Sequence, residues 1–305
     1  MNSSCMTVAA VNFHPIAGDV QRNLKRIMEY TEAAVSRGAQ TVLFPELALT
    51  GHGGKKNDEM QKCLAETIPG TSSCAVADLS SRLGIHVVFG MPVRKADKIY
   101  NSLVICGPQG ILDIYDKLHL TAADSGWAAE GERLPPLFDT SCGKMMAVTG
   151  FDLIYYPEVC RYGKAKGAKM LIGASALEDN GMGEAWQKIL ERNVGLNTLP
   201  VALSSLAGEY GGRHFAGGTQ ILMPAEPIEQ IYVSAGYPFD HPSGFKPGLY
   251  MTVIDMTAGI LMPHYPYFEH NYKVGTPGWR PGGYEKNMHS DIKAFGRMGI
   301  ICSFR

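Results

Sequence analysis

Apolar residues in the first half of the chain follow two spacings, and each spacing predicts a different element. Thr7 to Phe13 is a mostly apolar run of strand length. From Val20 to Val35 apolar residues recur every three or four positions, which predicts a helix, and Gly38 is expected to end it. A second buried strand is predicted from Gln40 to Phe44, and a second helix around Ser72 to Leu83.

The rest of the chain continues this alternation of strands and helices. Three strand-like runs follow, IHVVFGMPV, IYNSLVICG and GILDIYDKLHL, and the turn Gly107-Pro108-Gln109-Gly110 predicts a hairpin between the last two. A strand from Met145, a helix after Pro157, the strand GAKMLIGASA and a long helix around Glu184 to Asn197 come next. The final predicted strands are PVALSSL, GGTQILMP and GLYMTVID.

The two halves of the chain resemble each other. RGAQTVLFPE and KGAKMLIGAS both place Gly-Ala between a helix and a buried strand. This repetition predicts an α/β sandwich with one sheet from each half. No low-complexity linker divides the halves, so we expect residues 1–260 to form one domain. Residues 261–305 are rich in aromatic residues and lack a period, which predicts a C-terminal arm packed on the body or on a neighbouring subunit.

Composition and charge exclude several classes of partner. The net charge is −1 and no Lys/Arg run occurs, so nucleic acid and anionic membranes are not expected partners. No apolar stretch approaches the roughly 18 residues of a membrane-spanning helix. The N-terminal segment lacks a basic region and is expected to be a strand, not a signal peptide. Seven scattered cysteines without a CxxC pair favour reduced thiols and a cytoplasmic location, and the histidines show no metal-ligand spacing.

Two charged residues at the ends of apolar strands are candidates for chemistry. Glu46, in LFPELALTG, follows a buried strand, and partial burial would raise its pKa and suit it to general-base work. A helix cap or an ion pair with an arginine explains the same residue. Lys117, in IYDKLHL, could stabilise a developing oxyanion at the mouth of a sheet, although an ordinary exposed strand lysine fits that segment equally.

The third candidate is the segment MMAVTGFDLIYYPEVCR. It is predicted to be a buried strand that breaks at Gly150 and enters a helix through Tyr156, Pro157 and Glu158. Strand-to-helix elbows of this kind often present a nucleophile in hydrolytic α/β enzymes. Gly150, at the tip of this elbow, has no side chain to serve as one.

Taken together and in this order, the three segments resemble the carbon–nitrogen hydrolase (nitrilase) superfamily over roughly residues 5–260. The segments that carry the resemblance are Phe44-Pro45-Glu46, Tyr115-Asp116-Lys117-Leu118-His119-Leu120, the elbow Thr149-Gly150-Phe151-Asp152 with Tyr156-Pro157-Glu158 and Arg161, and FAGGTQILMP. The resemblance implies a four-layer α-β-β-α sandwich that forms a homodimer or larger homo-oligomer through the helices after the elbow. It also implies hydrolysis of a small amide, nitrile or carbamoyl compound through a covalent intermediate, without a cofactor.

The same resemblance assigns roles to residues of this chain. Glu46 becomes the general base, Lys117 the oxyanion stabiliser, and Gly150 the position that carries the nucleophilic cysteine in the family. Asp124 matches the family's second glutamate, with a side chain one methylene shorter. Phe151, Tyr155 and Tyr156, together with His52, are expected to line the substrate pocket. We also expect Glu46 and Lys117 to lie within a few ångströms of each other at the ends of neighbouring strands.

Departures from the family pattern leave three hypotheses open. Besides Gly150, the family's Glu-Asn pair on the later helix appears as Leu196-Asn197, and an expected asparagine as Ser205. Cys160 lies ten residues after Gly150 on the following helix, and Cys142 is expected at the opposite end of the strand, so neither can supply the thiol and both are predicted to be structural. The chain is therefore a natural pseudoenzyme that keeps a small-molecule pocket, an amidase or nitrilase whose cysteine was artificially replaced, or a non-covalent hydrolase. In the last case Glu46 activates a water molecule that takes the place of the sulfur, in the room left by Gly150.

Overall fold

The computed structural model describes residues 4–225 and 230–256, in which strands of the two halves build two separate six-stranded sheets. The first half contains β1 (Cys5–Asn12), α1 (Val20–Val35), β2 (Thr41–Leu43), α2 (Asn57–Leu64), α3 (Thr71–Leu83), β3 (His86–Lys95), β4 (Lys98–Gly107) and β5 (Gly110–Asp116). The second half contains β6 (Leu137–Thr140), β7 (Gly143–Thr149), α4 (Gly150–Tyr155), α5 (Pro157–Ala165), β8 (Ala168–Ser175), α6 (Gly183–Asn197), β9 (Val201–Ser205), β10 (Ala207–Tyr210), β11 (Arg213–Ala216), β12 (Gln220–Ala225), β13 (Gln230–Gly236) and β14 (Gly248–Asp255).

The two sheets have matching topologies. The first has the strand order β14-β1-β2-β3-β4-β5, and the second has the order β13-β12-β9-β8-β7-β6. Each contains three consecutive parallel strands, β1-β2-β3 in the first sheet and β7-β8-β9 in the second, with antiparallel strands at both edges. The parallel strands bring their carboxyl ends to a single edge, which is where ligand sites form in sheets of this type.

Alternation of side chains along the strands produces the layers. In β1, Val8 and Ala10 face the second sheet and join its core, whereas Ala9 and Val11 pack on the helical layer that contains Ile27 of α1. Apolar residues of α4, α5 and α6 cover the other face of the second sheet. The expected α/β fold, a four-layer α-β-β-α sandwich, is therefore confirmed.

The repeated Gly-Ala motif occupies equivalent places in the two sheets. Gly38 precedes β2 with φ +92°, and Gly167 precedes β8 with φ +86°. Both glycines lie in the left-handed region that turns the chain out of a helix at little steric cost. The predicted hairpin at Gly107-Pro108-Gln109-Gly110 joins β4 to β5, with Gly107 paired to Gly110.

Two sequence expectations about the fold are wrong. The sheets do not each come from one half, because β14 returns from the second half and pairs antiparallel with β1 along its whole length. The helix of the elbow also starts at Gly150 instead of Pro157. A proline disfavours helical backbone at the preceding residue, so Tyr156 leaves the helical region (φ −123°, ψ 81°) and divides the helical segment into α4 and α5.

The proposed arm at residues 261–305, and the last four residues of the proposed 1–260 domain, lie outside the described residues. Among the described residues, no helix has the length and apolar character needed to cross a membrane.

Candidate active site

Three charged side chains meet at the carboxyl edge of the first sheet. Lys117 Nζ lies 2.7 Å from Oε1 of Glu46 and 2.7 Å from Oδ2 of Asp124. Lys117 and Glu46 each expose 2% of their surface, and Asp124 exposes 4%. The structure therefore brings together all three charged residues that the sequence singled out, in one cluster that is shielded from bulk water.

A close backbone approach between β3 and the segment that follows β2 positions Glu46. The backbone N–H of Gly90, in β3, donates to the carbonyl of Pro45 at 3.1 Å. A Cβ atom on residue 90 would lie 2.6 Å from the Cα of Glu46, so only glycine permits this approach. Leu47, next to Glu46, adopts a positive φ of 56°, an uncommon conformation for a non-glycine residue that is often found at functional sites.

Asn101, on β4, connects the two carboxylates, and sequence reasoning missed it. Its Nδ2 group donates to Glu46 Oε1 at 2.6 Å and to Asp124 Oδ1 at 3.0 Å. Its backbone carbonyl also accepts from the N–H of Lys117 at 2.8 Å. The sequence does contain an indication of this role, a polar Asn-Ser pair inside the otherwise apolar strand IYNSLVICG. A side-chain amide in a buried strand is nearly always hydrogen-bonded to another polar group.

Thr121 fixes the second acidic residue. Its hydroxyl and its backbone N–H both donate to Asp124 Oδ2, at 2.7 and 3.0 Å. The shorter aspartate side chain therefore still reaches Lys117, because it belongs to a tight turn that begins four residues after the lysine.

The charges of the cluster shift its proton affinities in different directions. Burial raises the pKa of Glu46 to about 7, against the opposing effect of Lys117. Burial also disfavours charge on the other two groups, but their mutual attraction is stronger: the pKa of Asp124 is lowered, and the pKa of Lys117 is raised. Near neutral pH the cluster thus holds a fixed Lys117–Asp124 ion pair and a glutamate that can accept or donate a proton.

The elbow lies beside this cluster. Phe151, immediately after Gly150, places its ring centroid 5.4 Å from Lys117 Nζ. Gly150 itself is the first residue of α4 and is buried. A Cβ atom on residue 150 would lie 2.2 Å from the Cβ and 3.0 Å from the Cα of Ser175, at the end of β8. The direction in which a side chain would project is therefore filled by the neighbouring strand.

A second buried network joins the lysine segment to the elbow. Asp152 Oδ2 accepts hydrogen bonds from the hydroxyls of Tyr115 and Thr149, each at 2.6 Å. Its other oxygen lies 2.5 Å from Nδ1 of His119. Tyr115 and His119 lie two residues before and two residues after Lys117, so their bonds to Asp152 tie the lysine segment to the elbow. The sequence pattern identifies Asp152 only as part of the elbow motif, and its hydrogen bonds to distant segments are seen only in the structure.

The predicted pocket residues fall in different surroundings. The ring of Phe151 lies beside the ammonium group of Lys117. Tyr156 stacks on His119 with ring centroids 3.4 Å apart. Tyr155 packs on Phe151 and accepts a 2.6 Å hydrogen bond from the indole of Trp186, and 39% of its surface is exposed. Their contribution to substrate binding stays a prediction.

The two cysteines near the elbow in sequence hold other positions. Cys160 is buried and its thiol bonds to the carbonyl of Leu153 at 3.6 Å. Burial raises the pKa of its thiol to about 12, so it is protonated at neutral pH. Cys142 lies in the turn before β7, at the opposite end from Gly150, with its sulfur 3.3 Å from the carbonyl oxygen of Cys5. Across the described part of the chain, no group of three His, Cys, Asp or Glu side chains is arranged to hold a metal ion.

Comparisons with known proteins agree on one family. Residues 7–225 match the family model described as carbon-nitrogen hydrolase. The chain is 29% identical over 165 residues to a nitrilase of Pyrococcus abyssi, covering 54% of this chain and 62% of the relative. It is 28% identical over 225 residues to the omega-amidase of Xenopus tropicalis, covering 70% of this chain and 79% of the relative.

The fold also matches solved structures. An amidase from Nesterenkonia sp. superposes with a TM-score of 0.69 at 19% identity, covering 89% of this chain and 97% of that protein. Mutants of the Nesterenkonia amidase have been solved in complex with acrylamide and with butyramide. At this level of identity, the likeness establishes the fold.

Proposed function

Because the chain belongs to the carbon–nitrogen hydrolase family, we propose that it binds small amides at the cluster of Glu46, Lys117 and Asp124 without forming a covalent acyl intermediate. Gly150 occupies the position that the family resemblance gives to the nucleophilic cysteine. The observation that carries the proposal is the 2.2 Å separation between a Cβ on residue 150 and the Cβ of Ser175, which leaves no room for a nucleophile on the present backbone.

The preserved cluster supports amide binding. An ammonium group held by two buried carboxylates is a preorganised positive charge, suited to the carbonyl oxygen of an amide. Glu46, with a pKa of about 7, can accept a hydrogen bond from the amide N–H₂ group. Mutants of the Nesterenkonia amidase form complexes with acrylamide and with butyramide, and these two compounds are therefore suitable first ligands for this chain.

The raised pKa of Glu46 favours a second candidate function, slow hydrolysis by water. Glu46 would take a proton from water while the water oxygen attacks the carbonyl carbon, and Lys117 would stabilise the resulting oxyanion. The C–N bond would then break as Glu46 returns the proton to the leaving amine, giving an acid and ammonia. Since Ser175 fills the side-chain direction of Gly150, this water would have to approach from another side of the cluster.

Calorimetry and mass spectrometry test the proposal together. We expect the purified protein to bind butyramide and acrylamide, and its intact mass to stay unchanged after incubation with either. An acyl adduct that maps to the elbow would contradict the proposal, as would a failure of both amides to bind.

Ammonia release separates the two candidate functions. Glu46→Gln keeps the size of the side chain and removes the base. If release is at background in the unmodified protein, binding is the function; if slow release occurs and disappears in Glu46→Gln while butyramide still binds, water-mediated hydrolysis is supported.

A further inference from the structure

Three buried side-chain atoms of the described residues have no hydrogen-bond partner, namely His52 Nε2, Asn101 Oδ1 and Trp127 Nε1. Leaving such an atom unpaired is costly because its desolvation is not compensated, and native proteins tolerate few of them. All three belong to residues around the candidate active site. Unpaired polar atoms gathered at a binding site, here two donors and one acceptor, indicate groups that are satisfied when a ligand is bound.

Contacts place the two donors, His52 and Trp127, beside the charged cluster. The backbone N–H of Trp127 donates to the carbonyl of Asp124 at 3.0 Å. Trp127 shares a small apolar cluster with Phe215 and with Leu47, the neighbour of Glu46. The ring of His52 lies 4.8 Å from the ring of Phe215. Both donor residues are at least nine-tenths buried, with 3% exposure for His52 and 5% for Trp127.

The hydrogen bonding of His52 determines which of its nitrogens carries the proton. The backbone N–H of Gly54 donates to Nδ1 at 3.0 Å, so Nδ1 is an acceptor and Nε2 bears the hydrogen. Burial, together with the charge of Arg213, lowers the pKa of His52 to about 4, so the ring is neutral at pH 7. Trp127 can only donate. Each of the two residues therefore carries one uncharged N–H donor that has no partner among the described residues.

The surrounding charges select the kind of acceptor that these donors can bind. The cluster contains two carboxylates and only one ammonium, so a further buried carboxylate would meet repulsion and a large desolvation cost. Arg213, the nearby cation, is already paired with Glu178 at 3.1 Å. A neutral oxygen avoids this cost and still satisfies both donors.

We propose that His52 Nε2–H and Trp127 Nε1–H form a recognition subsite for a second, uncharged oxygen acceptor on the amide ligand, such as an ether, a hydroxyl or another carbonyl. The inference rests on the proposed amide-binding function and narrows it. The protein would prefer neutral amides that carry such an oxygen over purely aliphatic amides, and would discriminate against amides that carry a carboxylate.

Two pairs of amides of matched size test this proposal by calorimetry. Butyramide is compared with methoxyacetamide, and pentanamide with 3-methoxypropanamide, so that each pair differs by one ether oxygen at one of two distances from the amide. Succinamate supplies the carboxylate comparison. In at least one pair we expect the ether to bind the unmodified protein about 3- to 10-fold more tightly, as one added hydrogen bond provides.

Variants assign that preference to the two donors. Trp127→Phe and His52→Leu each remove one N–H group and are expected to lower the ether preference, and the double variant should bring the ratio to about one. His52→Gln retains a donor and should retain most of the preference. His86→Leu is the matched control, because His86 is a buried histidine at the amino end of β3, away from the cluster.

Each outcome decides a different point. Equal affinities within both pairs, or a ratio that survives in the double variant, would overturn the subsite. Tighter binding of succinamate than of the ethers would overturn the uncharged class of ligand. If none of the five amides binds, the proposed function fails and this inference fails with it. The measurements on the unmodified protein decide these points even where a variant does not fold.

Discussion

Lys117 Nζ lies 2.7 Å from Glu46 Oε1, although the strands that lead to these residues are not neighbours. Glu46 follows β2 and Lys117 follows β5, and β3 and β4 lie between those strands in the sheet. The expectation that the two residues lie close together is confirmed, and the expectation of neighbouring strands is wrong. Asn101 on β4 spans the gap, because its amide bonds to Glu46 while its carbonyl holds the backbone of Lys117.

Removing the ammonium from this cluster should destabilise the protein strongly. Lys117→Met leaves the carboxylates of Glu46 and Asp124 buried without a cation, and we expect the free energy of unfolding at pH 8 to fall by about 3–5 kcal/mol. Arg133→Met is the control, since Arg133 pairs with Asp113 at 3.0 Å with its side chain 71% exposed. That change should cost less than about 1 kcal/mol in urea unfolding. Similar losses in the two variants would contradict the interpretation of the cluster.

The proton affinity of Glu46 predicts a pH dependence of stability. An unfolded glutamate loses its proton near its ordinary pKa of 4.5, whereas Glu46 in the folded protein keeps its proton up to about pH 7. Between these values the folded state binds more protons than the unfolded state, so this group lowers the free energy of unfolding as pH rises. The decrease should reach up to about 3 kcal/mol.

Urea unfolding at a series of pH values measures this effect. Glu46→Gln cannot titrate and should lack the decrease between pH 4.5 and 7, while the remaining pH dependence stays the same. Parallel stability curves for the two proteins would show that Glu46 has an ordinary pKa.

Introducing a thiol at the elbow should strain the fold. The Cβ of Gly150→Cys would meet the Cβ of Ser175 at 2.2 Å, and overpacking of this kind costs typically about 1–3 kcal/mol. Little amidase activity is expected from the single variant. Adding Ser175→Gly removes the nearest atom and should recover part of the lost stability and raise ammonia release from butyramide, with Ser175→Gly alone as the control. Full activity in the single variant would mean that the elbow relaxes easily.

Asp152 should be essential to the structure of the elbow. Asp152→Asn removes a charged acceptor shared by Tyr115, Thr149 and His119, and we expect a loss of about 2–4 kcal/mol in unfolding free energy. Asp139→Asn is the control, because the side chain of Asp139 is 81% exposed and its carboxylate lies 3.5 Å from the ammonium of Lys144. Thermal unfolding of both variants checks the expectation, and equal melting temperatures would refute it.

Assembly into a homodimer remains a prediction. Substitutions in the helical layer of the second half can test it. Leu196 on α6 is 46% exposed and Tyr155 is 39% exposed, so apolar surface is available beside α5. We expect sedimentation at micromolar concentration to give at least twice the chain mass of 33.1 kDa. Leu196→Glu should shift the protein toward monomer, while Val253→Glu, on β14 with 63% exposure, should not. A monomer in the unmodified protein would contradict this prediction.

The sequence by itself determined the elements and the identity of the charged groups. Hydrophobic period is a local property, so strands such as β3 and β4 and helices such as α1 and α3 could be predicted within a few residues of their observed bounds. Glu46 and Lys117 could be named because each follows an apolar strand, and Asp124 because the family resemblance implies a second acidic residue there.

Only the tertiary structure decided how these groups meet and what surrounds them. Strand order is set by packing between distant segments, so no local pattern could place β14 in the first sheet or Asn101 between two carboxylates. The unpaired donors of His52 and Trp127 depend in the same way on which neighbours fold alongside them. The sequence shows that residue 150 has no side chain. Only the fold shows that Ser175, 25 positions later, fills the space into which that side chain would project.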